Sequence, residues 1–304
     1  MSRPMPTILL LAACAATAWA VSACDGVDGE PATTAAPVTQ TAPEPMVVAI
    51  DTMGFTRQKP LGVAPGFDLD GRISPPAEVE TCGKGDLVSP EGVPGIDNHF
   101  ARLVPLVEAS GIGALEGLIQ STINGGGIML LLQLDGVDDP VQDATVVLRV
   151  RAGKGVPLLG TNGLLLAGQT FGVHGDSPEV AAAARIVDGR VLAGPFDLKL
   201  PLVVFGVRYD LDLRGVHVRA RLAADGGLVE GVLGAGVTMA SIVEIAKKGA
   251  VDQPNLIELV GNVVGGQGDL ARDAASGECA QMSATLAFTG VGAYLFDDKT
   301  ARKR

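Results

Sequence analysis

The sequence contains few aromatic residues and has a deficit of positive charge. Aromatic side chains make up 4% of the 304 residues, and 23 lysine and arginine residues are outnumbered by 34 aspartate and glutamate residues, which gives a net charge of −11. A protein that binds nucleic acid through its phosphates needs clustered basic side chains, so this balance excludes a nucleic-acid partner. The hydrophobic fraction of 47% excludes a chain that is disordered throughout.

The sequence also lacks the motifs of the common enzyme classes. It contains no Gly-x-Ser-x-Gly nucleophile motif, no Walker loop and no His-Glu-x-x-His zinc motif. The segment Gly111-Ile112-Gly113 lacks the third glycine of a dinucleotide-binding loop, and the histidines are scattered over His99, His174 and His217. We therefore predict no catalytic residue. The hypothesis that the protein is a hydrolase with two catalytic carboxylates remains an alternative, because such a pair has no fixed spacing in a sequence.

The first 23 residues are typical of an export signal. Arg3 is the only charged residue before an uncharged, alanine-rich segment that runs from Thr7 to Ala23. This length and the small residues at its end are typical of a secretory signal rather than a membrane-spanning helix. The segment leads into Val21-Ser22-Ala23-Cys24, which resembles the lipobox of bacterial lipoproteins: an aliphatic residue, two small residues and a cysteine. The resemblance implies removal of residues 1–23 and acylation of Cys24 with a thioether-linked diacylglycerol and a further chain such as palmitate.

Two alternatives to lipidation at Cys24 remain open. Leu11-Ala12-Ala13-Cys14 fits the same pattern, but its use would leave an apolar segment of about seven residues, which is short for an export signal. Ordinary cleavage after Ala20 or Ala23 would release a protein without lipid. We predict that Cys24 anchors the protein to the membrane of the bacterial cell envelope, with the outer membrane favoured over the inner one and the leaflet left open.

The mature chain is predicted to consist of a tether and one domain. Residues 24–45 comprise the lipid anchor and a segment rich in Pro, Thr and Ala, which has almost nothing to bury and is expected to be a disordered tether. As a coil it would span about 25 Å. No later change in composition suggests another boundary, so residues 46–304 are predicted to form a single β-rich globular domain.

Alternation of apolar and polar residues predicts strands in this domain. It is clearest in Val146–Val150, Tyr209–Leu213 and Met282–Phe288, the last as a half-buried strand. The alternation changes phase after Gly215, which predicts a bulge or tight turn there. Asp188-Gly189 and Asp225-Gly226 predict hairpin turns in which both central residues have positive φ. The predicted fold class is mainly β, an antiparallel β-sandwich or jelly-roll-like domain.

Helical spacing is confined to two regions. Apolar residues three and four positions apart predict two short helices between Phe100 and Ile119, and a second pair over Thr238–Lys248 and Pro254–Val264. These helices are expected at one end or over one face of the sandwich. An outer-membrane barrel is the alternative architecture, but eight Phe and two Tyr are too few for aromatic girdles, and the final Ala-Arg-Lys-Arg lacks an aromatic residue.

Two cysteines remain after removal of Cys14 and lipidation of Cys24. In an oxidising envelope compartment, Cys82 and Cys279 are predicted to form a disulfide, with two buried free thiols as the alternative. The bridge would join the beginning of the domain to its last strand.

The segment Gly66–Phe100 carries a dense set of oxygen ligands. It resembles a segment of uncharacterised secreted lipoproteins of high-GC Gram-negative bacteria, in which a DLDG element precedes a cysteine and a GIDN element; the resemblance implies no activity. The Asp-x-Asp-Gly pattern is similar to part of a calcium loop, although the full EF-hand spacing and its last Glu are absent. The interpretation that we favour is that these residues cap helices and form turns, with Asp97 or Asn98 capping the helix that begins near His99. Calcium is the alternative, a candidate cofactor that would be held by Asp68, Asp70, Asp86, Asp97 and Asn98.

The leading functional hypothesis is a membrane-anchored envelope lipoprotein with a non-catalytic binding or structural domain, whose protein or ligand partner is unknown. An extracytoplasmic hydrolase with an unrecognised carboxylate site is the first alternative. A carrier of apolar ligands is the second, because Gly231, Gly234 and Gly236 could line a cavity. The charged residues from Arg208 to Arg221 are predicted to form a solvated sheet face stabilised by cross-strand pairs.

Overall fold

The structure, a computed structural model, describes residues 44–109, 115–174, 179–204, 207–249 and 265–296. Its first strand begins at Met46. The predicted signal peptide and Cys24, and almost all of the predicted tether, lie outside these residues. No helix in the described ranges has the length and apolar character needed to cross a bilayer.

Twelve strands and three helices make up the described part of the chain. In order they are β1 (Met46–Phe55), β2 (Leu87–Val88), β3 (Pro94–Ile96), α1 (Phe100–Ala109), α2 (Leu115–Asn124), β4 (Leu130–Asp135), β5 (Gln142–Lys154), β6 (Gln169–Val173), β7 (Val180–Val187), β8 (Arg190–Val204), β9 (Val207–Leu222), β10 (Leu228–Thr238), α3 (Met239–Gly249), β11 (Leu270–Arg272) and β12 (Cys279–Phe296).

The main sheet closes on itself, so the predicted sandwich or jelly-roll is wrong. Eight strands pair antiparallel in the cyclic order β1-β4-β5-β7-β8-β9-β10-β12, and β12 pairs back with β1. Because this order follows the chain, the barrel is an up-and-down meander. The mainly antiparallel β character is confirmed, but the apolar faces meet inside one closed sheet rather than between two sheets.

Aliphatic side chains fill the barrel interior. Val48, Leu132 and Val150 are cross-strand neighbours on its inner face, and each is at most 3% exposed. On the opposite wall Val191 lies beside Ala220, and both are 1% exposed. These residues belong to one continuous hydrophobic cluster, so burial of apolar surface inside the sheet is the main stabilising contribution.

The outer face of the barrel is also covered beside β1 and β4. Ala49 and Leu131 are partners on that face and are fully buried. Helix α2 packs on β1, and Ile123 in this helix is 1% exposed. Strand β6 pairs with the end of β12 and with the end of β5, and thereby buries Phe171. Strands β1 and β4 are therefore buried on both faces at these positions.

The structure confirms most of the helices, turns and bulges that local sequence patterns predict, within the described residues. Helices α1, α2 and α3 confirm three of the predicted helices, whereas Pro254–Val264 lies outside the described residues. The predicted irregularity at Gly215 is confirmed, since its φ is 58° and the β8–β9 register shifts beside it. The Asp188-Gly189 hairpin has positive φ at both residues as predicted. In the β9–β10 turn, only Gly226 of the Asp225-Gly226 pair has a positive φ, because that loop is longer.

Candidate functional site

The polar segment Gly66–Phe100 lies against the outer face of β10 and β12. Phe67 forms a β-bridge with Asp97, and its ring stacks on His217 with centroids 5.5 Å apart. The guanidinium of Arg219 lies 5.6 Å from the same ring, within cation–π range. A Cβ atom at Gly234 would approach the Phe67 ring to 2.6 Å, so only glycine lets the ring lie this close to the sheet. Phe67 thus fixes the segment to the barrel.

Three of the five predicted calcium ligands come together. One carboxylate oxygen each from Asp68, Asp70 and Asp97 lies within 4.8 Å of the others. The same carboxylates also organise the backbone: Asp97 accepts the N–H of Leu69 at 2.6 Å, and Asp68 accepts the N–H of Gly71 at 2.7 Å. The cluster therefore presents hard oxygen ligands of the kind that calcium prefers, while some of its lone pairs already stabilise the loop.

The other two predicted ligands are used elsewhere. Asp86 accepts the N–H of Ser74 at 2.5 Å. Asn98 is 1% exposed and accepts the N–H of Ala101 at 3.3 Å, as a cap at the start of α1. Its amide group donates to Thr56 Oγ1 at 2.7 Å. Asn98 thus holds the segment after β1, the polar segment and helix α1 together.

Asp97 is the most perturbed carboxyl of this cluster. Burial raises its pKa to about 8, and the negative charges of Asp70, Asp86 and Asp269 act in the same direction, whereas the hydrogen bond from Leu69 N–H lowers it. Without a cation the group is therefore protonated near neutral pH. A bound divalent cation would favour the ionised form instead, which makes the cluster's charge dependent on metal.

Calcium binding at Asp68, Asp70 and Asp97 stays a prediction with a direct test. We expect about 10 mM Ca²⁺ to stabilise the fold by about 1.4–2.7 kcal/mol if its Kd is about 0.1–1 mM. Thermal melts with Ca²⁺ and with EDTA measure the difference. D97N should abolish the response, whereas D138N, which changes an exposed carboxylate, should retain it. Identical melting temperatures of the parent protein in Ca²⁺ and in EDTA would contradict calcium binding.

A second polar cluster lies next to Asp97 and has no signal in the sequence. Ser283, which is fully buried, accepts the backbone N–H of His99 at 2.7 Å. Its own hydroxyl donates to Asp269, whose other oxygen accepts Ser283 N–H at 2.6 Å. The His99 ring instead contacts Gln267, with 2.9 Å between Nε2 and Oε1. Serine, histidine and aspartate therefore meet here without the ring-to-hydroxyl contact that activates a nucleophile.

Burial determines the charge of this second cluster. It raises the pKa of Asp269 to about 6, although two hydrogen bonds from Ser283 lower it. It also lowers the pKa of His99, despite the contact with Gln267. Burial therefore shifts the titration of both groups toward their neutral forms. The prediction that β12 is half-buried is wrong at Ser283 and Thr285, which are at most 1% exposed because the polar segment covers this part of the strand.

A cavity of about 570 Å³ opens on another part of the surface. Its lining includes Thr52, Gln120 and Thr289 together with two glutamates, Glu116 and Glu230. Glu116 accepts Phe55 N–H at 2.6 Å and pairs with Arg57, and Glu230 pairs with Arg221 at 2.7 Å. Hydrogen bonds from these arginines lower the pKa of both glutamates. Both carboxyls are therefore ionised at neutral pH, which removes the general acid that glycoside hydrolysis needs.

The predicted disulfide is confirmed: Cys82 and Cys279 are bonded, with Cα atoms 6.1 Å apart. It joins the polar segment to the first residue of β12. The predicted cross-strand charge pairs are also present, as Arg214–Asp197 at 2.8 Å and Arg221–Glu230. Phe67 covers His217 and Arg219, however, so only part of the charged face is solvated.

Comparison with known proteins adds no functional assignment. The chain matches no family model, no curated protein and no solved structure.

Proposed function

We propose that this protein is a membrane-anchored envelope lipoprotein whose barrel domain binds a partner or provides structural support rather than catalysing a reaction. The lipobox-like sequence before Cys24 supports the anchor, with the outer membrane favoured over the inner one.

The burial and the hydrogen bonds of Ser283 support the non-catalytic part of the proposal. This hydroxyl donates to Asp269 and accepts the backbone N–H of His99, and it is fully buried. A nucleophile must be reachable by substrate and hydrogen-bonded to a base. These polar groups instead fasten the polar segment to the barrel, which is a structural role.

The two alternative functions receive less support. A carboxylate hydrolase would need one protonated group within reach of substrate. Both glutamates of the open cavity are ion-paired with arginine, and Asp97, which burial keeps protonated near neutral pH, is only 3% exposed. A carrier of apolar ligands would need an empty lumen. Of the three glycines on β10, Gly231 lines the open surface cavity beside the Phe288 ring rather than a lumen. A Cβ at Gly234 would meet the Phe67 ring, and one at Gly236 the Gln281 side chain.

The anchor is tested by changing Cys24. We expect C24S to lose incorporation of labelled palmitate and to move from the membrane fraction to the soluble envelope fraction, because serine has no thiol to form the thioether. Mass spectrometry of the mature amino-terminal peptide measures the modification directly. Loss of Trp19, the single tryptophan of the chain, reports removal of the signal peptide.

C14S is the matched control, because it changes the competing cysteine inside the predicted signal peptide. It should leave labelling and membrane association unchanged. If C14S abolishes labelling and C24S does not, the anchor is at Cys14. If the parent protein matures without lipid, the anchor proposal is wrong.

A further inference from the structure

Large apolar side chains are exposed together at one edge of the barrel. Tyr294 and Phe296, at the end of β12, are 64% and 54% exposed, and Leu158, Leu159 and Leu166 in the β5–β6 loop are 66%, 41% and 47% exposed. We call these five residues the end patch. Soluble proteins seldom expose so many large apolar side chains together unless the surface contacts a partner or a membrane.

The register of β6 brings the two parts of the end patch together. Tyr294 and Phe296 lie opposite Thr170 and Gly172 of β6. The side chain of Gln169, the first residue of β6, accepts Leu158 N–H at 2.6 Å and donates to Leu166 O at 2.7 Å. The loop leucines are thus tied to the strand that flanks the end of β12.

The chain enters the barrel at this same edge. Val47 of β1 lies opposite Ala293 of β12, so Met46, the first residue of β1, lies beside Tyr294. Residues 25–45 separate this point from Cys24, a distance of about 25 Å for a coil. A lipid at Cys24 would therefore keep the end patch within reach of the bilayer that holds the anchor.

We propose that the end patch rests on the lipid surface and orients the barrel with the start of β1 toward the membrane. This inference rests on the proposed lipid anchor. Because the tether makes the contact intramolecular, a weak affinity of the patch for lipid is sufficient. Leucine and phenylalanine can enter the boundary between headgroups and acyl chains, and tyrosine is suited to that boundary because its ring is apolar and its hydroxyl polar.

The charges at this end of the barrel specify the kind of contact. Antiparallel order places the β4–β5, β7–β8 and β9–β10 turns at the end where β1 begins, and they carry Asp138, Asp139, Asp188 and Asp225. Acidic side chains in these turns give no attraction to anionic headgroups, and Arg190 and Arg221 beside them pair with Glu230. Among the described residues at this end, the apolar side chains are therefore the part suited to lipid, and we expect the contact to persist at high salt.

The test places a tryptophan in the end patch of the lipidated protein. The mature chain has no other tryptophan once Trp19 is removed, so Y294W reports from one position. In phosphatidylethanolamine vesicles, bromine on the lipid chains should quench about half of its fluorescence, since interfacial residues insert about 5–10 Å. The control is L61W, at an apolar residue that is 89% exposed in the segment after β1; its emission should be unaffected.

The outcomes separate this inference from the anchor. Equal quenching of Y294W and L61W overturns the inference even if mass spectrometry confirms lipid on Cys24. Protection of Y294W from aqueous acrylamide without quenching by brominated lipid also overturns it and indicates a second copy of the chain on the patch. If the chain carries no lipid, the anchor is wrong, and adding vesicles to the same variants then tests the patch alone.

Discussion

Reduction of the Cys82–Cys279 disulfide is expected to lower the free energy of unfolding by about 5 kcal/mol, because the bridge closes a loop with a sequence separation of 197 and restricts the unfolded chain accordingly. The native polar segment would remain in place through its hydrogen bonds, so the loss arises mainly in the unfolded state. Denaturant unfolding with and without reductant measures it.

The double variant C82S/C279S is the control for side effects of the reductant. It should unfold at the denaturant concentration found for the reduced parent and should be insensitive to reductant itself. If oxidised and reduced parent protein have the same stability, then the bridge does not stabilise the fold.

The second large effect is a loss of stability as the pH rises. We expect the free energy of unfolding in EDTA to fall by about 1–2 kcal/mol between pH 6.5 and pH 8. Burial raises the pKa of Asp97 to about 8, so the folded chain holds a proton that the unfolded chain has released. Each increase in pH through this window therefore favours unfolding, until the folded carboxyl is itself ionised.

Two other titratable groups in this region, Asp269 and His99, change the free energy of unfolding mainly below pH 6.5. Asp269, whose pKa is raised to about 6, destabilises the fold between about pH 4 and pH 6 as the pH rises. His99 acts in the opposite direction, because its pKa is lowered in the fold and the unfolded chain binds the proton more readily below pH 6.5. Above pH 6.5, Asp97 is thus the main source of the expected change.

D97N isolates the contribution of Asp97. Its amide oxygen can still accept the N–H groups of Leu69 and Asp70, which both bind a single oxygen of Asp97, but it cannot ionise. We expect its stability to be constant between pH 6.5 and pH 8 and to exceed that of the parent at pH 8. Denaturant unfolding between pH 6.5 and pH 8 measures this. If the free energy of unfolding of D97N falls as much as that of the parent, Asp97 is not the source of the pH dependence.

The elements of the fold could be predicted from local patterns, but their closure could not. Alternation along Val146–Val150 correctly identified inward-facing residues, which are at most 3% exposed. The same alternation occurs in a sandwich, because each strand has one buried face in both architectures. The barrel depends on pairing between β1 and β12, such as Val47 with Ala293, and no local signal encodes a contact over that separation.

The candidate site was predictable only in part for a similar reason. The short spacing of Asp68 and Asp70 indicated a shared loop, and Asp97 joins them through the bridge between Phe67 and Asp97. Asp269 and Ser283 gave no signal, because a buried aspartate that accepts hydrogen bonds looks like any acidic residue in a sequence. Its role becomes visible only when the polar segment covers β12.

The pairing of β1 with β12 also determines when the domain can fold. The ribosome makes β1 near the beginning of the domain and β12 near its end, so β1 has no partner until almost the whole domain has been synthesised. Contacts of such long sequence separation form slowly, and the unpaired edges of early strands are prone to aggregation in the meantime. We therefore expect folding to depend on chaperones that shield the incomplete sheet until β12 is available.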